Sequence, residues 1–339
     1  MTNRQQFDAL VVEITRGVTR FALGIGMDSA GSKPVLGHYL KIQTSDFDDI
    51  VGLLGHYIGQ HGGMEAMPPV LALSHAGPQI GEKIIIPGSD LAFTLDEIRQ
   101  AFPFTRIVNA NDCVAMGSAL PWLDPKDVVS IAGHEQPAYV HKKGRYGLTV
   151  PTYGLGVASV IHTGKTVQVI DSEGGHANFA PCDAWQADFM MHRMAKGERL
   201  SFHEVVSYPG LEGVYSYIAE KAGSKTLDLR AQEIMLYARN EADPHCIEAI
   251  ERFANALGAM AGDVALMLGA IDGMFLVSPF VNEVMDLGDD MADTIRRRFE
   301  DKVDFRLYMQ RIPLYTITHR RVSMIGVLRI ACERIELAE

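Results

Sequence analysis

The chain has 339 residues, 47% of them hydrophobic and 22% charged, a balance that fits a folded globular protein with room for two lobes. Its net charge of −11 argues against a nucleic-acid surface, which depends on clustered Lys and Arg. A nucleotide site built from backbone N–H groups and one metal ion is compatible with that charge.

In chain order, two β-rich runs open the sequence, Ala9-Leu10-Val11-Val12-Glu13-Ile14 and Arg20-Phe21-Ala22-Leu23-Gly24. The short stretch 15–19 between them predicts a hairpin, and residues 37–42 alternate as a third strand. A helix is predicted from Phe47, capped by Ser45 or Asp46. Val70-Leu71-Ala72-Leu73 reads as a buried strand, and Thr94 stands three residues ahead of Glu97 as in a capping box. The strand Arg106-Ile107-Val108-Asn109 leads directly into Asn111-Asp112.

Further strands are predicted at 128–131, 156–162, 166–170 and 274–277, with helices at 244–269 and 322–335. Gly258 and Gly262 lie four residues apart on one face of the former helix, where a neighbour can approach closely. Alternating strands and helices in two blocks predict two α/β lobes with a cleft, residues 1–122 plus 322–339 and residues 123–321. Residues 1–7 contain no apolar stretch of signal-peptide length, and no apolar run reaches about 18 residues. Cys113, Cys182, Cys246 and Cys332 are widely separated with no CxxC pair. The expectation is a cytoplasmic protein with no zinc knuckle, no disulfide framework and no membrane span.

Glu173-Gly174-Gly175-His176, followed by Asn178-Phe179-Ala180-Pro181, resembles the EGGH-x-x-F-A-P segment of bacterial glucokinases, members of the actin-like sugar-kinase superfamily. Four more segments fall in the family's order: Asn111-Asp112-Cys113-Val114-Ala115, Gly154-Leu155-Gly156-Val157-Ala158, Val206-Ser207-Tyr208-Pro209-Gly210-Leu211, and Ala265–Gly269 ahead of Gly273-Met274-Phe275. The resemblance implies a two-lobed actin-like, ribonuclease H-like α/β fold, and commonly a homodimer. It also implies Mg-ATP-dependent phosphorylation of a hexose. By the same resemblance, Asp112 is the catalytic base, and Asn111, Asp112, Glu173, His176 and His203 hold the sugar. An Asp between a strand and a helix suits a base, because its carboxylate can reach a bound hydroxyl.

The nucleotide side departs from the family. A hairpin of pattern D-x-G-G-T-N appears here as Glu13-Ile14-Thr15-Arg16-Gly17-Val18. Glu13 could still serve near magnesium, Gly17 could support a shifted hairpin, and Arg16 could meet phosphate through its guanidinium. A second loop keeps Gly154 and Gly156 but begins Val150-Pro151-Thr152-Tyr153, with no N–H at the proline. A Gly-Gly pair beneath the adenosine becomes Ser278-Pro279-Phe280. On the sugar side, Pro87-Gly88 replaces a Thr-Asn pair, and His203, beside Glu204, replaces a Glu. Two readings therefore stand open: a hexose kinase, or a catalytically impaired paralogue acting as a sugar sensor or regulatory partner.

Overall fold

The computed structural model describes residues 8–26, 34–132, 143–225, 227–240 and 243–336. Residues 1–7, part of the basis for expecting no leader, lie outside these. The chain divides into two compact units, Met1–Leu123 with Arg321–Glu339, and Asp124–Arg320.

In the first unit, strands β1 (Ala9–Ile14), β2 (Val18–Ile25), β3 (Val35–Gln43), β4 (Val70–His75) and β8 (Arg106–Asn111) form a five-stranded sheet in the order β3-β2-β1-β4-β8. The three strands β3, β2 and β1 pair antiparallel, whereas β1, β4 and β8 run parallel. A small sheet of β5 (Gln79–Ile80), β6 (Lys83–Ile85) and β7 (Ala92–Thr94) lies in the excursion between β4 and β8. Every residue of β1 is buried, as a strand covered on both faces requires. Leu10, Val12 and Ile14 belong to a core shared with α1 (Ile50–Gln60) and α2 (Leu95–Ala101), whereas Ala9 and Val11 face the layer of α3 (Asp112–Ala119) and α11 (Val322–Glu336). Thr94 forms the expected capping box with Glu97. The cap of α1 is instead Asp49, whose carboxylate accepts the Gly52 N–H at 2.7 Å. Thr44–Asp46 is a separate 3-10 turn, since the Thr44 hydroxyl is drawn back to the Thr15 carbonyl at 3.1 Å.

The second unit repeats that order. Strands β12 (Val167–Ser172), β11 (Leu155–His162) and β10 (Gly144–Pro151) pair antiparallel, then β10, β13 (Gly273–Leu276) and β14 (Leu314–Ile317) run parallel, with β9 (Val128–Ser130) added antiparallel at the edge. The helices are α4 (Ala184–Ala195), α5 (Tyr208–Lys221), α6 (Ala231–Arg239), α7 (Pro244–Leu268), α8 (Pro279–Met285), α9 (Asp289–Glu300) and α10 (Arg306–Met309). Strand β10 was not expected, because Pro151 reads as a loop residue. Proline is tolerated there because it ends the strand, opposite Leu155 at the turn. Gly258 and Gly262 do form a close-approach face. A Cβ at Gly258 would stand 2.3 Å from the Ile295 carbonyl of α9, and one at Gly262 would stand 2.6 Å from that of Phe299.

Candidate functional site

In the first unit the predicted residues collect at the C-terminal ends of β1, β4 and β8, the edge of a parallel sheet at which ligands bind. The register places Glu13 beside Ser74, and Ile14 beside His75, which in turn is beside Asn111. Asn111 caps α3 by accepting the Cys113 N–H at 2.9 Å and donates its amide to the Gly77 carbonyl at 3.2 Å. That carbonyl also bonds Nδ1 of His75 at 3.2 Å. His75 had no signal in the sequence beyond its place at the end of a buried run. Burial pushes it down to about 4, against the opposing bond to Gly77, so its ring is neutral at physiological pH.

Asp112 is the first residue of α3. Desolvation pushes its carboxyl up to about 6, opposed by hydrogen bonds from Cys113 and assisted by the negative charge of Glu13. Glu13 is itself buried, and its two oxygens accept from the Arg20 guanidinium and the Ser323 hydroxyl of α11. The two carboxylates thus feel each other electrostatically, with the Glu13 charge answered by Arg20.

The tip of the first hairpin closes without left-handed glycine. Thr15 Oγ1 donates to the Val18 carbonyl at 2.7 Å and accepts the Val18 N–H at 3.3 Å, beside the backbone bond from Thr15 N to Val18 O at 3.0 Å. Gly17 lies outside the left-handed region and has open space around it. Arg16 reaches to the turn at Gly88, where a Cβ would come within 2.3 Å of its Nε. Gly88 has φ +69°, so two of the departures, Arg16 and Pro87-Gly88, fit one another: the added side chain lies over the residue that has none.

The second unit assembles the remaining residues at the equivalent edge of its sheet. The turn Thr152-Tyr153-Gly154 joins β10 to β11, closed by Thr152 N to Gly154 O at 2.9 Å, and Gly156 lies opposite Val150. Gly154, like Gly17, has open space and no left-handed φ. Ser278, which follows β13, is buried, and its hydroxyl accepts the Phe280 N–H at 3.2 Å to cap α8. Tyr153 packs edge to face on Tyr208 at 5.0 Å, Tyr208 on Phe280 at 5.2 Å, and Phe280 on Phe253 at 5.3 Å. Aromatic residues from three separate segments, Tyr153, Tyr208 and Phe280, therefore form one column that ends on Phe253. Burial raises the Tyr208 phenol, partly offset by its hydrogen bond to Ser278. The sequence does not show that these rings meet, because the contacting residues lie tens of positions apart in the chain.

The segment 173–176 forms a 3-10 turn on the same unit. Its Gly175 does not supply a special φ; a Cβ there would lie 2.0 Å from the Leu155 carbonyl, so close approach is what demands glycine. Glu173 and His176 are exposed, with Oε2 and Nε2 3.9 Å apart, and His203 lies 5.1 Å from His176, ring to ring. Three of the expected sugar-binding side chains are thus gathered on one surface, two of them open to solvent.

Paired sheets of one topology, each opening on a hairpin, and a carboxylate at a strand-to-helix junction define the two-lobed actin-like fold of sugar kinases. Residues 12–334 match the Glucokinase family model. The chain is 32% identical over 324 residues to a glucokinase of Aromatoleum aromaticum, covering 94% of this chain and 93% of that one. Among solved structures, a glucokinase from an Antarctic psychrotroph superposes with a TM-score of 0.81 at 25% identity, covering 97% of this chain and all of the other. The Balamuthia mandrillaris glucokinase, solved in complex with glucose, shares the fold with a TM-score of 0.78 at 20% identity, over 98% of this chain and 95% of its own. The chain belongs to the glucokinase family.

Proposed function

We propose that this protein transfers the γ-phosphoryl group of ATP to the 6-hydroxyl of glucose or a closely related hexose, with Asp112 as base. ATP-dependent hexose phosphorylation is the reaction of the family to which the chain belongs. The observation that supports Asp112 is its carboxyl, raised to about 6 at the head of α3. Such a group is still mostly ionised at neutral pH and is a stronger base than a surface carboxylate. As the hydroxyl oxygen bonds to phosphorus, its proton passes to the Asp112 carboxylate, and the bond from the γ-phosphorus to the bridging oxygen breaks to release ADP.

On the second unit, Glu173 and His176 supply an acceptor and a donor-acceptor pair for adjacent sugar hydroxyls; on the first, the Asn111 amide has a second N–H to donate beyond its bond to Gly77. Arg16 brings a permanent positive charge to the first hairpin, where the paired glycines of the family pattern are missing. Among the described residues no cluster of three or more His, Cys, Asp or Glu could hold a metal. Magnesium suits this donor set even so, because it travels with nucleotide phosphates and water and needs one or two carboxylates. Glu13, through water, and Asp112 are the candidates, and the ion would neutralise phosphate charge. No helix among the described residues is long and apolar enough to cross a membrane. A cytoplasmic homodimer belongs to the same reading, and sedimentation velocity checks the dimer. No observation favours a non-catalytic sensor, since both altered hairpins close by other bonds.

The experiment is ADP release measured with glucose and Mg-ATP. Asp112→Asn is expected to lower kcat by about 10²–10⁴, the usual contribution of a positioned base. Wild-type protein without glucose-dependent ADP release would refute the function; an Asn variant at wild-type rate would refute the assignment of the base.

A further inference from the structure

His203 stands where the family pattern has a sugar-binding Glu, yet its ring is not turned over to a sugar. Nε2 lies 3.0 Å from the Tyr153 carbonyl at the tip of the second hairpin, and Nδ1 lies 3.3 Å from Oε1 of Glu204. The other Glu204 oxygen accepts the Ser201 N–H at 2.6 Å and the Ser201 hydroxyl. Burial works against that carboxylate, but the Ser201 bonds and His203 hold it down to about 2. Glu204 is therefore a fixed anion behind the imidazole, a carboxylate orienting a histidine.

The backbone around His203 is tied in two directions. Toward the sugar segment, Phe179 N donates to Leu200 O at 3.1 Å, Phe202 N to Ala177 O at 3.0 Å, and His203 N to Gly175 O at 2.9 Å. Toward the hairpin, Tyr208 N donates to Thr152 O at 2.8 Å, and the rings of Tyr208 and Tyr153 meet edge to face. Residues 200–208 thus form a strap from Glu173-Gly174-Gly175-His176 to Thr152-Tyr153-Gly154. Among the described residues His203 alone has its backbone bonded to one end and its side chain bonded to the other.

We propose that His203 is a positioning residue that couples the two ligands, transmitting sugar occupancy at Glu173 and His176 to the hairpin that meets the phosphate donor. This rests on the glucokinase reading. Movement of the 173–176 turn pulls the His203 N–H, and the ring carries it to the Tyr153 carbonyl. Without the imidazole the hairpin tip keeps only the Tyr208 end of the strap. Coupling of this kind is reciprocal: sugar tightens nucleotide binding by the factor by which nucleotide tightens sugar binding.

The test is calorimetric titration of wild type, His203→Ala and His203→Gln with glucose and with a non-hydrolysable ATP analogue plus magnesium, each alone and over the other at saturation. Glucose is expected to raise the affinity of wild type for the analogue about tenfold, a common size for coupling between sites. In His203→Ala that factor should fall below about 2, with glucose affinity alone changed less than about threefold. Gln, whose amide can still donate to the Tyr153 carbonyl, should keep an intermediate factor. Full coupling in His203→Ala overturns the proposal, as does collapse of glucose affinity with coupling intact, which would put the ring on the sugar. A wild type that turns over glucose but shows no coupling overturns it too, leaving the kinase reading standing; a wild type that does not turn over removes both.

Discussion

A carboxyl raised to about 6 has the opposite linkage to an ordinary stabilising Asp. Its ionised form is the disfavoured one in the fold, so the penalty is absent below about pH 3.9, the unfolded value, and complete above about pH 6. Asp112→Asn removes that penalty. The variant is expected to match wild type near pH 4 and to exceed it by about 1–3 kcal/mol at pH 8, a difference that urea denaturation at the two pH values reads. Activity has the complementary dependence: kcat/KM should fall tenfold per unit below about pH 6, because the base is lost on protonation. An acid limb near pH 4 instead would mean that the group titrating is not Asp112. Asn111, Asp112, Glu173 and His176 could be singled out as candidates in the sequence because each belongs to a short segment. Arg20 and Ser323 on Glu13, and Glu204 behind His203, were not, since a hydrogen-bond partner is chosen by the fold rather than by its neighbours in the chain.

At the level of elements, the glycines sort into two kinds by physical cause. Gly258 and Gly262 of α7 were readable from their spacing, and α9 lies against them. Gly258→Ala would press a methyl group to within 2.3 Å of a backbone carbonyl that cannot swing away. The expected cost is about 1–3 kcal/mol, seen as a lower urea midpoint with an unchanged slope. A midpoint within error of wild type would show that α9 slides freely. At Gly17 and Gly154 no protein atom lies within 4 Å of an added Cβ, so packing inside the chain does not call for glycine there. The hairpins also show why reading one element at a time falls short. Thr15 replaces a glycine and then closes the turn with its own hydroxyl; Tyr153, Tyr208 and Phe280 come from three segments and pack together. Such compensation is visible only once the parts have met.

For the molecule as a whole, binding energy should appear as stability. At 100 times its dissociation constant a ligand that binds only the native state adds about 2.7 kcal/mol, which is a rise of a few degrees in Tm for a chain of this size. Glucose and Mg-ATP are each expected to raise Tm, and to raise it further together than the sum of the two if the sites are coupled. A shift with glucose and none with millimolar Mg-ATP would count against ATP as donor. The two-lobed class was legible from the alternation of strands and helices. The duplicated sheet order was not, because what the two sheets share is a hydrogen-bonding pattern that many side chains satisfy.

The bond between Glu13 and Ser323 spans 310 residues. A ribosome adding roughly 5–20 residues per second needs roughly 15–60 s to make the second partner after the first. Throughout that time the sheet of the first unit lacks α11, the helix that packs on Val11, Ala22 and Ala72. The second unit, continuous from Asp124 to Arg320, has all of its strands and helices before α11 emerges. The part of the chain made first is therefore the part finished last, and Ala9, Val11, Ala22 and Ala72 wait for the helix that covers them.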